Sequence, residues 1–527
     1  MSEESKGTIV VLGSGPIRIG QGIEFDYASV QCVRALKKLG YKVAIVNNNP
    51  ETVSTDFDTA DRLYFEPLTP ADVMNVLKVE KPLGVVVAFG GGTAIKLAKF
   101  LDSQGVRILG TSADAIDLAE DRERFEELCD RLNIKRPRGL TVFTEVEALE
   151  AAEKITYPVL MRPSYVLGGQ NMIIARNSAD VKEYMKIILR QGIENPVLID
   201  KYMEGKELEV DCICDGDAVL IPGIMEHIER TGIHSGDSIA VYPGQFTKEI
   251  EEKIIRQSTD LALALGTKGL VNIQYLIYDD GSGNDLYIIE ANPRSSRTVP
   301  YLSKVSGIPM IDLATRAMLG EKVCDMGYGT GLYRKPDYFS VKVPVYSFEK
   351  HMDVDTHLGP EMKSTGEVLG IAASREEALY KGMVAAGWKM IKKGGVLFSV
   401  RQSDLPELPA LARKFYDLGF TLYATTGNAA TIERSGMKVT HVAKVHEDYN
   451  NNVMTLLESG KVVYVISTSA KGRDPVAESV KLRRLAVERD IDCLTALDTA
   501  HVLADCLASD FTLDNVSLVD INHNLVQ

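Results

Sequence analysis

The chain has no early apolar run of signal-peptide or membrane-span length. MSEESKGTIVVLG passes from a short polar start straight into a strand. Positive charge is outweighed: 59 Lys and Arg against 73 Asp and Glu leave a net charge of −14. That argues against a nucleic-acid binder, which would carry a basic face, while leaving room for a locally basic nucleotide pocket. The seven cysteines, at 32, 129, 212, 214, 324, 493 and 506, make no paired framework. Cys212 and Cys214 in VDCICDG would share one face of an alternating strand, and no second Cys or His pair accompanies them as a zinc site requires, so core packing is expected. Reduced thiols and a cytoplasmic, membrane-free location follow as expectations. H-E-x-x-H is absent, and nothing resembles a Ser-His-Asp triad or a reactive cysteine. GSGPIRIGQG (13–22) does not match G-x-G-x-x-G, so dinucleotide binding is poorly supported. There is no low-complexity stretch and no short-period repeat.

What is present is an ordinary globular composition, 45% hydrophobic and 25% charged over 527 residues, too long for one core. Residues 7–110 alternate strands (GTIVVLG, YKVAIVN, LGVVVAFG, VRILG) with helices, which implies a parallel sheet with helices on both faces. A helix beginning near Ser112 and running through AEDRERFEELCDRL follows. From YPVLMR onward the strands lengthen into hairpins, and Asp-Asp-Gly-Ser-Gly between two apolar strands is a hairpin signal. From Lys392 strand and helix alternate again. The fold class is therefore α/β and α+β, multidomain.

The chemistry concentrates in LYIIEANPRSSRT. Glu290 and Asn292, two apart at a strand end, point the same way and offer oxygens to a hard cation such as Mg²⁺. Arg294 and Arg297 supply planar forks for phosphoryl oxygens. Gln274 in VNIQYLIYD lies on the strand paired with them through the hairpin, and so could complete an oxygen-rich site. In MRPSYVLGGQNM, Arg162 ends a strand and Gly168-Gly169 form a turn able to cover phosphates. Asp200 to Glu207 (DKYMEGKE) suits a hinge for a nucleoside, with a solvated turn as the plainer reading. In IMEHIERTGIHSGDS, His227, Glu229, His234, Ser235, Gly236 and Asp237 suggest a loop facing phosphate or substrate rather than a metal.

Taken together, these residues resemble the ATP-grasp family and, within it, the large subunits of carbamoyl phosphate synthetases. GSGPIRIGQGIEFDY, NNNPETVSTDFDTADRLYFEP, AEDRERF, RPSYVLGGQNM, GIMEHIERTGIHSGDS, IIEANPRSSRTVP and LGPEMKSTGEV recur in that order. The likeness is to the second of that subunit's two homologous synthetase units plus its regulatory domain. It implies a Rossmann-like pre-ATP-grasp domain at 1–118, an ATP-grasp domain at 119–390 and a methylglyoxal-synthase-like domain at 391–527. It further implies ATP-dependent phosphorylation of carbamate to carbamoyl phosphate within a split glutamine-hydrolysing synthetase that feeds pyrimidine and arginine biosynthesis. ATP, Mg²⁺ or Mn²⁺, and K⁺ would be the cofactors. The expected partners are a small glutamine amidotransferase subunit, a bicarbonate-phosphorylating N-terminal-type chain and a small-molecule effector.

By motif position, Gln274, Glu290 and Asn292 would hold the metal, and Arg162, Arg294 and Arg297 would be catalytic. Arg122, Arg162, Gly168, Gly169, Lys201, Met203, Glu207, His234, Ser235, Gln274 and Glu290 would bind ATP. Ser399, Thr425 and Lys444 match effector positions. Departures from the family pattern are also present. GGQTPLK is replaced by Gly90-Gly91-Gly92-Thr93-Ala94-Ile95-Lys96, and the metal hairpin is longer, carrying Asp279 to Asn284. Leu405, Asn428 and Ser467 replace polar or basic effector residues. Glu229 and Asp237 match part of an ornithine site, where Val343 replaces a third acid. Two other readings are a self-sufficient homodimer phosphorylating both bicarbonate and carbamate, and a non-catalytic effector-binding subunit.

Overall fold

A computed structural model describes residues 6–163, 172–190, 196–281, 283–350, 354–448, 451–468 and 478–524. They divide into two compact units, one drawn from 1–227, 242–336 and 520–527, the other from 228–241 and 337–519.

The first unit opens with a parallel sheet in the order Arg62–Tyr64, Lys42–Val46, Thr8–Leu12, Gly84–Val86. TIVVL and KVAIV are nearly continuous apolar runs because a strand covered on both faces has no polar side to present. Val73, Val76 and Leu77 of the helix Pro70–Glu80 pack on Val10, Leu12, Ala44 and Val46. An antiparallel sheet follows, Gly139–Val142, Val197–Lys201, Val159–Pro163 and Ile173–Ala175 in that order. It is covered by Ala148 and Ala152 of Glu145–Ile155 and by Val181, Tyr184 and Met185 of Ser178–Arg190.

The third sheet of this unit sets Lys206–Cys214 beside Gly269–Asp279, and that strand beside Asn284–Asn292, all antiparallel. Val210, Cys212, Cys214, Val271, Ile273, Tyr275 and Ile288 form one buried face against Ile254 and Leu261 of Lys248–Ala264. Cys212 and Cys214 are core residues, as their alternation predicts.

One element differs from the sequence expectation. The helix beginning at Ser112 is two helices, Ala113–Glu120 and Arg122–Arg131. Asp121 between them is extended (φ −77°, ψ 119°), and its carboxylate accepts from the Arg124 nitrogen at 3.0 Å. The side chain of Asp121 thus starts a second helix where the apolar spacing alone would have continued the first. The break puts Arg122 at the first position of the new helix.

In the second unit, Phe339–Val345 pairs antiparallel with Gly366–Ala372 and packs on Arg375–Ala385. A five-stranded parallel sheet follows in the order Thr440–Val442, Thr421–Thr425, Gly395–Phe398, Val462–Ile466, Asp492–Leu494. Phe398, Leu411, Phe415, Phe420, Tyr464 and Leu503 are among the residues of its larger core.

Gly370 lets the helix Arg375–Ala385 approach its strand. A Cβ there would lie 2.2 Å from the Ala378 carbonyl oxygen and 2.5 Å from the Gly382 nitrogen, both backbone atoms that cannot swing aside. Gly370→Ala should therefore destabilise this unit by about 1–3 kcal/mol through overpacking. The readout is the urea midpoint in the fluorescence of Trp388, the chain's one tryptophan, which packs on that core. An unchanged midpoint would contradict so close a helix–strand contact.

Candidate functional site

The site grows from the register of three strands. Gln274 stands opposite Glu290 on one side and opposite Glu209 on the other; Asn272 stands opposite Asn292 and Asp211. Directly opposed residues share a face, so these six side chains form one polar surface across the sheet. The pairing slips between Gln274 and Tyr275, because Tyr275 pairs with Ile288 and Ile289 is left over. That bulge has a chemical consequence. Leu286 and Ile288 point into the core, and strict alternation would send Glu290 after them. The extra residue inverts the phase, so Ala291 is buried and Glu290 emerges on the polar face.

Further along the same face Leu276 stands opposite Tyr287 and Glu207, and Met203, Leu276 and Tyr287 form a small buried apolar cluster. An apolar patch therefore lies next to the Gln274–Glu290 pair, with the Asn272–Asn292 pair beyond it. At about 3.3 Å per residue this spacing can place a flat ring at one end and phosphates at the other.

Asn292 Nδ2 donates to Glu290 Oε1 at 2.9 Å, while Arg294 Nη2 donates to Asn292 Oδ1 at 3.2 Å and Nη1 to the Ser295 carbonyl at 2.9 Å. Burial holds the Arg294 guanidinium below the usual arginine range, and Glu290 works against that shift. Arg297 Nη2 donates to the Gly20 carbonyl at 2.8 Å, and its Nε lies 3.4 Å from Glu24. The glycine-rich turn after the first strand thus touches the site through an arginine.

The turn that carries these arginines is anchored from beneath. Asn272 Nδ2 donates to Glu209 Oε1 (2.7 Å) and Asp211 Oδ1 (3.1 Å). Ser296 Oγ donates to Asp211 Oδ2 at 3.0 Å, and Thr298 Oγ1 lies 2.7 Å from the same oxygen. Burial pushes the Asp211 carboxyl up to about 7. Glu207 is likewise pushed up to about 7 by burial, with His227 opposing. His227 is fully buried, its Nδ1 3.9 Å from Glu207 and its Nε2 3.6 Å from Glu209. Glu209, Asp211, Asn272, Ser296 and Thr298 escaped the sequence reading. The period-two acids in KELEVD were the available signal.

Arg122 and Arg162 converge on one carboxylate: Arg122 Nη2 donates to Asp200 Oδ1 at 2.6 Å, and Arg162 Nε lies 3.6 Å from Asp200 Oδ2. Lys201 directs its ammonium to the carbonyls of Thr156 (3.0 Å) and Tyr157 (3.2 Å), and its amide donates to the Arg138 carbonyl at 2.7 Å. Gly168 and Gly169 lie outside the described residues.

His234 and Ser235 belong to the second unit. His234 Nδ1 accepts from the Gly236 nitrogen at 3.0 Å, opening the turn Ser235–Asp237. The Asp237 carboxylate accepts from the Lys363 and Ser364 nitrogens, both at 2.8 Å. Ser399, Thr425 and Lys444 follow or end three neighbouring parallel strands, which puts them at the carboxyl edge of that sheet, where such folds bind ligands. Asn428 instead clamps the chain. Its Oδ1 accepts from the Val400 nitrogen at 2.8 Å and its Nδ2 donates to the Val400 carbonyl at 3.1 Å.

Comparison with known proteins matches the chain to three family models. These are the carbamoyl phosphate synthase preATP-grasp domain over residues 5–118, the carbamoyl-phosphate synthase L chain ATP binding domain over 121–325 and the MGS-like domain over 407–495. The carbamoyl phosphate synthase large chain of Clostridium botulinum (strain Kyoto / Type A2) is 50% identical over 517 residues, 98% of this chain and 48% of that protein. That of Lachnoclostridium phytofermentans is 51% identical over 519 residues, with the same coverages of 98% and 48%. The chain thus spans about half the length of the curated relatives it matches. Among solved structures, biotin carboxylase from Campylobacter jejuni superposes with a TM-score of 0.54 at 16% identity, over 72% of this chain and 90% of that one. N5-carboxyaminoimidazole ribonucleotide synthetase from Thermotoga maritima gives 0.52 at 15%, over 72% and 98%. At such identities the likeness concerns the fold alone.

Glu229 in the second unit yields a test of pH dependence. It is buried, accepts from Thr499 Oγ1 and from the Ile239 nitrogen at 2.7 Å each, and burial pushes its carboxyl from 4.5 up to about 7. The folded state therefore binds more protons than the unfolded state in that window, and this carboxyl makes stability fall as pH rises from about 4.5 to about 7. His357, pushed from 6.5 down to about 4 by burial and Arg483, acts in the opposite sense between those two values, across most of the same window. The difference between Glu229→Gln and the parent isolates the carboxyl. In urea titrations followed by Trp388, the variant should gain stability relative to the parent as pH rises through that window. A pH-independent difference would refute the assignment.

Proposed function

We propose, from the premise that the chain belongs to the carbamoyl phosphate synthase large-chain family, that it phosphorylates carbamate with ATP. A carbamate oxygen attacks the γ-phosphorus, the bond from that phosphorus to the β,γ-bridging oxygen breaks, and carbamoyl phosphate and ADP leave. The observation that carries this reading is the Gln274–Glu290 cross-strand pair, with Asn292 on the same face and an apolar slot of Met203, Leu276 and Tyr287 beside it. The slot suits an adenine ring, and Glu207 beside it suits the ribose hydroxyls.

The donor set at Gln274, Glu290 and Asn292 fits Mg²⁺ or Mn²⁺ in kind: one carboxylate and two amide oxygens, the ligand type a hard cation shares with nucleotide phosphates. Glu290 is the exposed carboxylate on this face; Glu207, Glu209 and Asp211 are buried. A divalent ion held by Gln274, Glu290 and Asn292 would supply positive charge against the nucleotide phosphates. Arg294 and Arg297 would extend the positive field over the transferred group, with Arg162, beside Asp200, as a further guanidinium for phosphate. Such transfer depends on positioning and fixed charge more than on covalent chemistry. Carbamate is already an anion, so no general base is required.

Within this reading the chain is one half of a split glutamine-hydrolysing synthase. It works with a separate bicarbonate-phosphorylating chain and a small glutamine amidotransferase subunit, and binds an effector at Ser399, Thr425 and Lys444. The decisive assay runs the reaction backwards on the isolated chain, from carbamoyl phosphate and MgADP. ATP should form, and its absence would remove the reading. Bicarbonate-dependent ATPase in the same preparation would favour a self-sufficient homodimer instead. Glu290→Gln should lower ATP formation on the order of 10²-fold or more, as loss of one preorganised charge-stabilising group does, with an unchanged urea midpoint. Near-parental activity would rule out Glu290 as a metal ligand.

A further inference from the structure

The glycine-rich segment 13–22 matches no dinucleotide motif, and its use in this fold is different. It lies against a second glycine run, Gly90-Gly91-Gly92: a Cβ at Gly90 would meet the Gly13 carbonyl oxygen at 2.4 Å. One buried side chain, Gln21, joins the two segments and is only 1% exposed. Its Nε2 donates to the Gly90 carbonyl at 2.8 Å and to the Ser14 carbonyl at 3.2 Å, while its Oε1 accepts from the Gly92 nitrogen at 3.1 Å. Both amide hydrogens and one oxygen lone pair are thereby used. Gly91 leaves room for this carboxamide, since a Cβ there would lie 2.6 Å from Nε2, and its φ of +60° suits glycine. The main chain of Gln21 is committed as well. Its nitrogen donates to the Arg18 carbonyl at 2.9 Å and its carbonyl accepts from the Arg18 nitrogen at 3.0 Å.

These bonds close a circuit that passes through the candidate site. Arg297 Nη2 donates to the carbonyl of Gly20, the residue before Gln21. Glu24, three residues after Gln21, stands 3.4 Å from Arg297 Nε, so the same segment meets the guanidinium twice. Gln21 is bonded to Gly90 and Gly92. Two residues before Gly90, the Ala88 carbonyl accepts from the Ser295 nitrogen at 2.9 Å, and Ser295 is two residues before Arg297. The ring therefore runs from Arg297 to Gly20 and Gln21, across to Gly90, back along the chain to Ala88, and across to Ser295. Two of its three cross-links are made by the turn that carries the arginines. The third is the Gln21 carboxamide, and without it the ring is open.

We propose that Gln21 is a positioning residue for the phosphoryl transfer. By tying the turn at 18–21 to the loop at 88–92 it fixes the Gly20 carbonyl, and through that carbonyl the plane of the Arg297 guanidinium. A guanidinium that must meet a transferred phosphoryl group is useful only in the right orientation, and small misplacements cost rate steeply. This role rests on the function proposed above. It differs from simple support of the fold in one measurable respect. A glutamine that only held the core would, on removal, lower activity by the same factor whatever side chain stood at 297; one that acts through Arg297 loses its effect when Arg297 is changed.

The test is a double-mutant cycle of Gln21→Met and Arg297→Lys in the full chain, read as ATP formation from carbamoyl phosphate and MgADP. Met fills a similar volume but has no N–H to donate, and Lys keeps the charge at 297 without the planar fork. Gln21→Met should lower kcat on the order of ten- to a hundredfold. The KM for MgADP should stay within about twofold of the parent, because a misaligned Arg297 is felt in transfer and not in nucleotide binding. In the Arg297→Lys background the same substitution should change kcat by less than about threefold. Gln21→Asn is one methylene too short to reach Gly90 and Gly92 together. It should lose kcat in the same way, and it carries the cycle if Gln21→Met does not fold by circular dichroism and sedimentation. Three results overturn the proposal: parental kcat in the folded variants, an equal loss with Arg and with Lys at 297, or a loss confined to the KM for MgADP. Each of these, with ATP formed by the parent chain, would leave the carbamate-phosphorylating reading standing. Failure of the parent chain itself to form ATP would overturn that reading, and this role for Gln21 with it.

Discussion

The bulge at Ile289 holds the candidate site together. Without it, alternation would drive the Glu290 carboxylate into a core of Leu286, Ile288, Val271 and Tyr275, where an unpaired charge costs several kcal/mol. With it, the strand buries Ala291 and presents Glu290 and Asn292 on the face that also carries Gln274. The register is secured at both ends. At the turn, the Gly281 and Gly283 nitrogens donate to the Asp279 carboxylate at 2.8 and 3.0 Å. At the far end, Asn272 and Thr298 lock onto Glu209 and Asp211. A slip of one residue would break both sets and reverse every side chain.

The same economy of partners governs the cations. Asp200 gathers Arg122 and Arg162, Gly20 and Glu24 hold Arg297, and Asn292 holds Arg294. Arg122, Arg294 and Arg297 each donate to a protein oxygen, and Arg162 lies 3.6 Å from one. Phosphoryl oxygens accept in the same fork geometry, so under the proposed function a nucleotide would enter by exchanging partners rather than by ordering loose side chains. Pre-orientation of this kind is what fixed-charge stabilisation of phosphoryl transfer requires.

Much of this was legible in residue order. The apolar runs TIVVL and KVAIV announce a doubly covered parallel sheet, and the Asp-Asp-Gly-Ser-Gly turn announces the hairpin that brings Gln274 to Glu290. The split at Asp121 was not legible, since the apolar spacing runs on through it and a single capping hydrogen bond decides the break. Nor was the role of Asn428, whose clamp on Val400 depends on a strand-to-helix distance. The acids of KELEVD were visible at period two, but their burial, and the upward push on Glu207 and Asp211, depend on how much protein covers them.

The sequence by itself determined the chemical inventory: a carboxylate and an amide two residues apart, two arginines after them, a second amide on the neighbouring strand, and a hairpin-rich block between two blocks that alternate strand with helix. Local preferences and side-chain periodicity suffice for that, because both act over a few residues. Only the tertiary structure decided which groups meet. A leftover isoleucine turned Glu290 outward, and a turn 277 residues distant took hold of Arg297. Those outcomes depend on register and on contacts between remote segments, which chain order does not specify.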